Sequence, residues 1–205
     1  MLNDTTIYKN VDLLPLDLQG WNSNDDAFES LILKTKPSTI IEVGSWKGAS
    51  AINMAQICSK HKVNAQIFCV DTWLGAVEFW TSLANTPDRN LLLKNGYPQI
   101  YYQFISNVVH TNTQDYIIPL PMTSVIACKV LEFHNIKADL IYIDGSHEYE
   151  DVLADINNYT KLLNSGGIIF GDGFGGCWTG VTKAVEESFG SDFRVVNNNF
   201  WVHES

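Results

Sequence analysis

Four short stretches of the chain carry residue types suited to chemistry on a bound small molecule. The first is Glu42-Val43-Gly44-Ser45-Trp46-Lys47-Gly48-Ala49-Ser50, where two glycines sit between a β-branched run and a helical stretch. Glycine lets the backbone approach a ligand, and a helix start offers unpaired N–H groups. The same loop could equally be a tight turn in which Gly44 and Gly48 only relieve sterics. The second is Asp71, about 27 positions after Gly44, where a carboxylate can accept two hydrogen bonds from ribose hydroxyls or can cap the next helix. The third, Asp144-Gly145-Ser146-His147, sets a carboxylate and an imidazole three residues apart. A histidine near a carboxylate suits proton removal from a substrate hydroxyl; the structural alternative is a first-turn helix residue. The acids that follow, Glu148, Glu150 and Asp151, read as complements to a helix dipole. The fourth is Asp172 in a glycine-rich loop, expected across a cleft from Asp144. Asp144 and Asp172 together could hold a divalent metal such as Mg2+, or Asp172 could cap a turn.

The loop after the first strand is G-x-x-x-G in place of the dinucleotide fingerprint G-x-G-x-x-G, which disfavours NAD, and there is no G-x-x-x-x-G-K-[ST], which disfavours ATP and GTP. Of the aromatic residues near the second stretch, Trp73 alone gains a ligand role from its position. Trp80, Phe79, Tyr97, Tyr101 and Tyr102 read as packing groups, and His61, His110, His134 and His203 as ordinary surface or helix-end residues.

The elements that must position these stretches are βαβ units, because short β-branched runs alternate with amphipathic ones. Strands are expected at Thr39–Val43, Gln66–Val70, Tyr116–Leu120, Asp139–Ile143 and Ile168–Phe170. Helices are expected at about Ala49–Lys60, Tyr149–Leu163 and Thr182–Phe189, with another over Asn24–Thr35 before the Lys36-Pro37 break. Asn164-Ser165-Gly166-Gly167 reads as a helix stop with a left-handed glycine. Phe193–Val196 and Phe200–Val202 read as an antiparallel hairpin at one sheet edge. The fold class is therefore α/β: a doubly wound, Rossmann-like, mostly parallel seven-stranded sheet with helices on both faces. Residues 1–205 are expected to form one domain, with 1–37 as an N-terminal cap segment and 72–97 as an aromatic-rich insertion.

The chain has 205 residues, 45% hydrophobic and 18% charged, which excludes a disordered or collagen-like polymer. Its 13 Lys and Arg against 23 Asp and Glu give a net charge of −10, so nucleic-acid and membrane partners are not expected. No apolar run approaches the ~18 residues of a membrane span, and the start of the sequence lacks a secretory pattern, so a cytoplasmic protein is expected. Cys58, Cys69, Cys128 and Cys177 form no C-x-x-C pair and read as buried free thiols.

In combination these stretches resemble the class I S-adenosylmethionine-dependent methyltransferases. More narrowly they resemble the small group with macrolide-sugar O-methyltransferases and cephalosporin-hydroxylase-like proteins. The likeness runs from about Thr39 to Glu187. It is carried by Ile41–Ser50, Val70-Asp71-Thr72-Trp73, Ile141–Tyr149 and Leu162–Asp172, followed by Gly180-Val181. It implies that Glu42, Gly44, Ser45, Trp46, Gly48 and Ser50 surround the methionine part of S-adenosylmethionine. Asp71 and Thr72 would then meet the ribose, and Trp73 or Met122-Thr123-Ser124 the adenine. Asp144 would serve the cofactor and a divalent metal, and His147 would act as the base on an acceptor hydroxyl. Relatives carry two consecutive acids after the fifth strand, whereas here Gly173 follows Asp172. The implied activity is O-methylation of a small-molecule or sugar acceptor by a monomer or homodimer. A non-catalytic cofactor-binding partner protein is the alternative from a different class, and an NAD-dependent Rossmann oxidoreductase is a further one.

Overall fold

The computed structural model describes residues 5–81, 89–197 and 199–205. Part of the aromatic-rich insertion (82–88), residues 1–4 and Asn198 of the expected hairpin turn lie outside them.

Seven strands form one sheet: β1 (Thr39–Val43), β2 (Gln66–Asp71), β3 (Ile117–Pro121), β4 (Ala138–Ile143), β5 (Leu163–Gly171), β6 (Arg194–Val196) and β7 (Phe200–Glu204). Their order is β3-β2-β1-β4-β5-β7-β6. The first five strands are parallel, and β7 runs antiparallel between β5 and β6. The order reverses at β1, which lies between β2 and β4. A crevice therefore opens beyond the carboxyl ends of these three strands, where Gly44, Asp71 and Asp144 sit.

Side chains alternate across each strand, so the two sheet faces build separate cores. One face carries Ile40, Ile67, Leu140, Tyr142, Phe170 and Phe200 against α1 (Asp26–Thr35), α2 (Ala49–His61) and later α4 (Ile100–His110). Phe28 of α1 meets Tyr142, Phe170 and Phe200 edge-on at 5.0, 5.6 and 5.8 Å. The other face carries Ile41, Val43, Phe68, Val70, Ile141, Ile169 and Trp201 against α5 (Ser124–Phe133), α6 (Tyr149–Tyr159) and α7 (Thr179–Phe189). A single helical turn, α3 (Val77–Trp80), follows β2. Among the described residues no helix is long and apolar enough to cross a membrane.

Two sequence expectations are corrected, and two helices were not anticipated. Gly166-Gly167 is not a helix stop: α6 ends at Tyr159 with one 3-10 turn, and β5 runs through both glycines. Gly166 does take the left-handed backbone expected of it, φ +76°, but within an irregular stretch of β5, where Gly166 N–H donates to Ser205 and Ser205 N–H donates to Gly167. Helix α4 was not anticipated; its buried Gln103, Ser106 and Asn107 interrupt the apolar stripe of Ile100, Phe104, Ile105 and Val108. Met122-Thr123-Ser124 is the start of α5, with the Thr123 hydroxyl capping Ile126 N–H. Cys177 is exposed, unlike the other three cysteines.

Candidate active site

The loop after β1 is shaped by a backbone contact. Gly44 has φ +88°, and a Cβ there would lie 2.1 Å from the carbonyl oxygen of Asp144, so only glycine lets these two strand ends approach. Glu42, fully buried, accepts hydrogen bonds from the hydroxyls of Ser45 at 2.5 Å and Ser50 at 2.6 Å and so ties the loop to the start of α2. Burial pushes its carboxyl up to about 7. Asp71 braces the loop from β2: one carboxylate oxygen accepts from the backbone N–H of Ser45 (3.0 Å) and Trp46 (2.8 Å), the other from Trp73 N–H (2.7 Å). Burial outweighs these bonds and raises its carboxyl above the usual range.

A cavity of about 770 Å³ opens above these strand ends. Of the sequence candidates, Gly44, Ser45, Trp46, Ser50, Asp71, Thr72, Met122, Thr123, Ser124, Asp144, His147 and Asp172 line it. Glu42, Gly48 and Trp73 do not. Glu42 lies beneath the loop, and Gly48 is covered by the Phe104 ring. Trp73 is buried against Tyr101 and Phe104 and donates its indole N–H to the carbonyl of Trp46. These three support the loop from behind and do not face the cavity.

At the far wall, His147 packs its ring flat on Trp178, with centroids 4.2 Å apart. Its Nε2 stands 3.9 Å from Asp144 Oδ1, and its Nδ1 is buried with no hydrogen-bond partner. Burial holds the imidazole below its usual pKa, partly opposed by the charges of Glu78, Asp172 and Glu148, so the ring is neutral and able to accept a proton at neutral pH. Burial first, then the charge of Asp172, pushes the Asp144 carboxyl well above the ordinary carboxylate range, although Tyr142 donates its hydroxyl to Asp144 at 2.9 Å. Such a cluster favours a positively charged ligand, which would relieve the repulsion between carboxylates.

For the divalent metal expected at Asp144 and Asp172, these two acids are the ligands on offer. Asp172 Oδ2 accepts from the side-chain amide of Asn22 at 2.9 Å, and Oδ1 accepts from Gly173 N–H and from the amide of Asn199. Oδ2 keeps a lone pair, so these bonds orient the carboxylate without using it up. Gly173, next to Asp172, has φ +82°, and a Cβ there would lie 3.3 Å from the His147 ring. Among the described residues no group of three or more His, Cys, Asp or Glu could hold a metal.

Several lining residues carried no sequence signal. Gly20, Trp21, Asn22 and Ser23 reach the cavity on an extended N-terminal strap. The polar side of α4 holds that strap: Gln103 donates to the carbonyl of Pro15 at 2.8 Å, Ser106 accepts from Leu14 N–H at 3.0 Å, and Asn107 donates to the carbonyl of Asp17 at 2.6 Å. Buried Lys47 adds an ion pair to Asp17 at 2.7 Å. Asp155, four residues after Asp151 on α6, also lines the cavity, with its carboxyl pushed by burial up to about 6. Its helical spacing was the one available clue.

The chain was compared with known families and structures. The model of the family described as "Methyltransferase domain" matches residues 41–174. No curated protein matches. Among solved structures, the calicheamicin methyltransferase CalS11 is 18% identical, with TM-score 0.63 over 87% of this chain and 76% of that one. An O-methyltransferase from Bacillus cereus, solved in complex with SAH, is 15% identical, with TM-score 0.60 over 98% and 88%. TomG from Streptomyces achromogenes, an O-methyltransferase of tomaymycin synthesis solved with SAM, is 14% identical, with TM-score 0.62 over 92% and 82%. With that family model spanning β1 to the loop after β5, on a sheet shared with these enzymes, the chain belongs to the methyltransferase domain family and has the class I S-adenosylmethionine-dependent fold.

Proposed function

We propose that this chain methylates a hydroxyl of a small-molecule or sugar acceptor, using S-adenosylmethionine, with His147 as general base. The observation that carries this reading is the neutral His147 imidazole, whose Nδ1 has no partner, in the cavity lined by Gly44, Asp71 and Asp144. Bound S-adenosylmethionine supplies an electrophilic methyl group on a sulfonium. Gly44, Ser45, Trp46 and Ser50 cradle the methionine end, Asp71 and Thr72 accept from the ribose, and Met122, Thr123 and Ser124 flank the adenine. The acid-lined cavity suits the cationic cofactor, and the fixed loop lowers the barrier by alignment. His147 removes the acceptor proton as the oxygen attacks. No step on this reading needs a metal, because His147 takes the proton and the sulfonium supplies the electrophile. Residues 1–205 act as one methyltransferase domain, closed by the N-terminal strap.

Calorimetric titration with S-adenosylhomocysteine, with NAD as control, tests the cofactor. Micromolar binding of the first and none of the second is expected. No binding of S-adenosylhomocysteine by folded protein would overturn the reading.

A further inference from the structure

The cavity wall is strongly acidic: Asp71, Glu78, Asp144, Asp151, Asp155 and Asp172 all line it. Against them, among the described residues, stands one permanently charged cation, Arg89. Its Nε is buried with no hydrogen-bond partner, and no ion pair of Arg89 exists among the described residues. The guanidinium instead lies 5.8 Å from the centroid of the Trp21 ring. Burying the Nε N–H without an acceptor is costly, so this arrangement calls for an anion from outside the chain.

Its position says which end of the cavity that anion occupies. Trp21 stacks on Phe79 (6.3 Å, 19° between planes) and lies 6.3 Å from Trp46. The neighbouring Asn22 binds Asp172, whose charge reaches His147. Arg89 therefore belongs with the aromatic wall of Trp21, Phe79 and Trp46. We propose that Arg89 is a specificity residue receiving an oxyanion, a carboxylate or phosphate, carried by the methyl acceptor. The planar fork of a guanidinium fits either group through two parallel N–H donors. This deepens the function proposed above and rests on it.

The test is calorimetry on the S-adenosylhomocysteine complex with two matched probe pairs: 3,4-dihydroxybenzoate against catechol, and glucose 1-phosphate against methyl glucoside. The anionic member of at least one pair is expected to bind about tenfold tighter or better to the native chain. Arg89→Gln should cut that preference to about twofold, with Arg89→Lys intermediate and the affinity for S-adenosylhomocysteine unchanged. Equal binding within both pairs, or none by any probe, overturns the assignment, as does a preference that survives Arg89→Gln. A variant that loses S-adenosylhomocysteine but keeps adenosine would show that the arginine serves the cofactor's own carboxylate, which also overturns it. Failure of the native chain to bind S-adenosylhomocysteine would instead remove the methyltransferase reading beneath it.

Discussion

His147 Nε2 stands 3.9 Å from Asp144 Oδ1, beyond hydrogen-bonding reach, while the ring itself rests flat on Trp178. The imidazole is therefore oriented by stacking and not by a carboxylate partner. The backbone at Gly173 packs against one side, and a Cβ on Gly180 would lie 2.6 Å from the His147 carbonyl. Orientation by an apolar neighbour keeps the ring neutral and leaves its one unprotonated nitrogen without a competing hydrogen bond.

Replacing His147 with Ala should lower methyl transfer by about 10²–10⁴-fold, the usual worth of a positioned base, with the S-adenosylhomocysteine affinity kept. Because burial depresses the His147 pKa, activity should hold through neutrality and fall only on acidification below the ordinary histidine value of about 6.5. The variant should lack that limb. Turnover and calorimetry check both points, and a parallel loss of cofactor binding would contradict the assigned role.

Trp178 is a positioning residue. Trp178→Ala opens one face of the imidazole to water, so kcat should fall about tenfold from loss of alignment. The acid limb should move up toward the ordinary histidine pKa as the burial is relieved. Trp178→Phe, which restores a flat apolar face, should recover most of both effects. A pH–rate profile unchanged in Trp178→Ala would refute the stacking argument.

Chelation should leave activity unaltered. Among the described residues no group of three or more His, Cys, Asp or Glu could hold a metal, and Gly173 supplies no carboxylate beside Asp172. Turnover assayed with EDTA and with added Mg2+ should coincide within error; activity lost to EDTA and restored by Mg2+ would contradict this.

Glu42 should make the protein less stable as pH rises. Its carboxyl is raised on folding from an ordinary 4.5 to about 7, so its contribution is fully present below about pH 4 and lost as pH climbs through 7. From this group the loss is on the order of 3 kcal/mol. Glu42→Gln can still bond Ser45 and Ser50 and carries no charge. Denaturant unfolding at acidic and mildly alkaline pH should show the difference between variant and native chain shifting toward the variant by about that amount. A pH-independent difference would contradict the buried-carboxyl account.

The parallel sheet was readable because β-branched runs such as Thr39–Val43 are buried on both faces, and each is followed by a polar turn at its carboxyl end. Helix α4 was less readable because it carries Gln103, Ser106 and Asn107 on a buried side, which breaks the apolar period that marks a helix in sequence. Trp73 is the converse case. Its nearness to Asp71 suggested a ligand contact, yet a positive φ of 54° turns it back into the core, where its indole supports Trp46 from beneath.

What the sequence by itself determined is the chemistry at the strand ends: Gly44, Asp71, Asp144, His147 and Asp172 each follow a short apolar strand, and strand period and turn residues are local properties. Tertiary structure decided what surrounds them. The strap bearing Trp21 and Asn22, the stacking of Trp178 on His147, the amide pair on Asp172 and the unpaired Arg89 join residues distant along the chain. Such contacts exist only once the sheet has brought those segments to one side, and no local pattern encodes them.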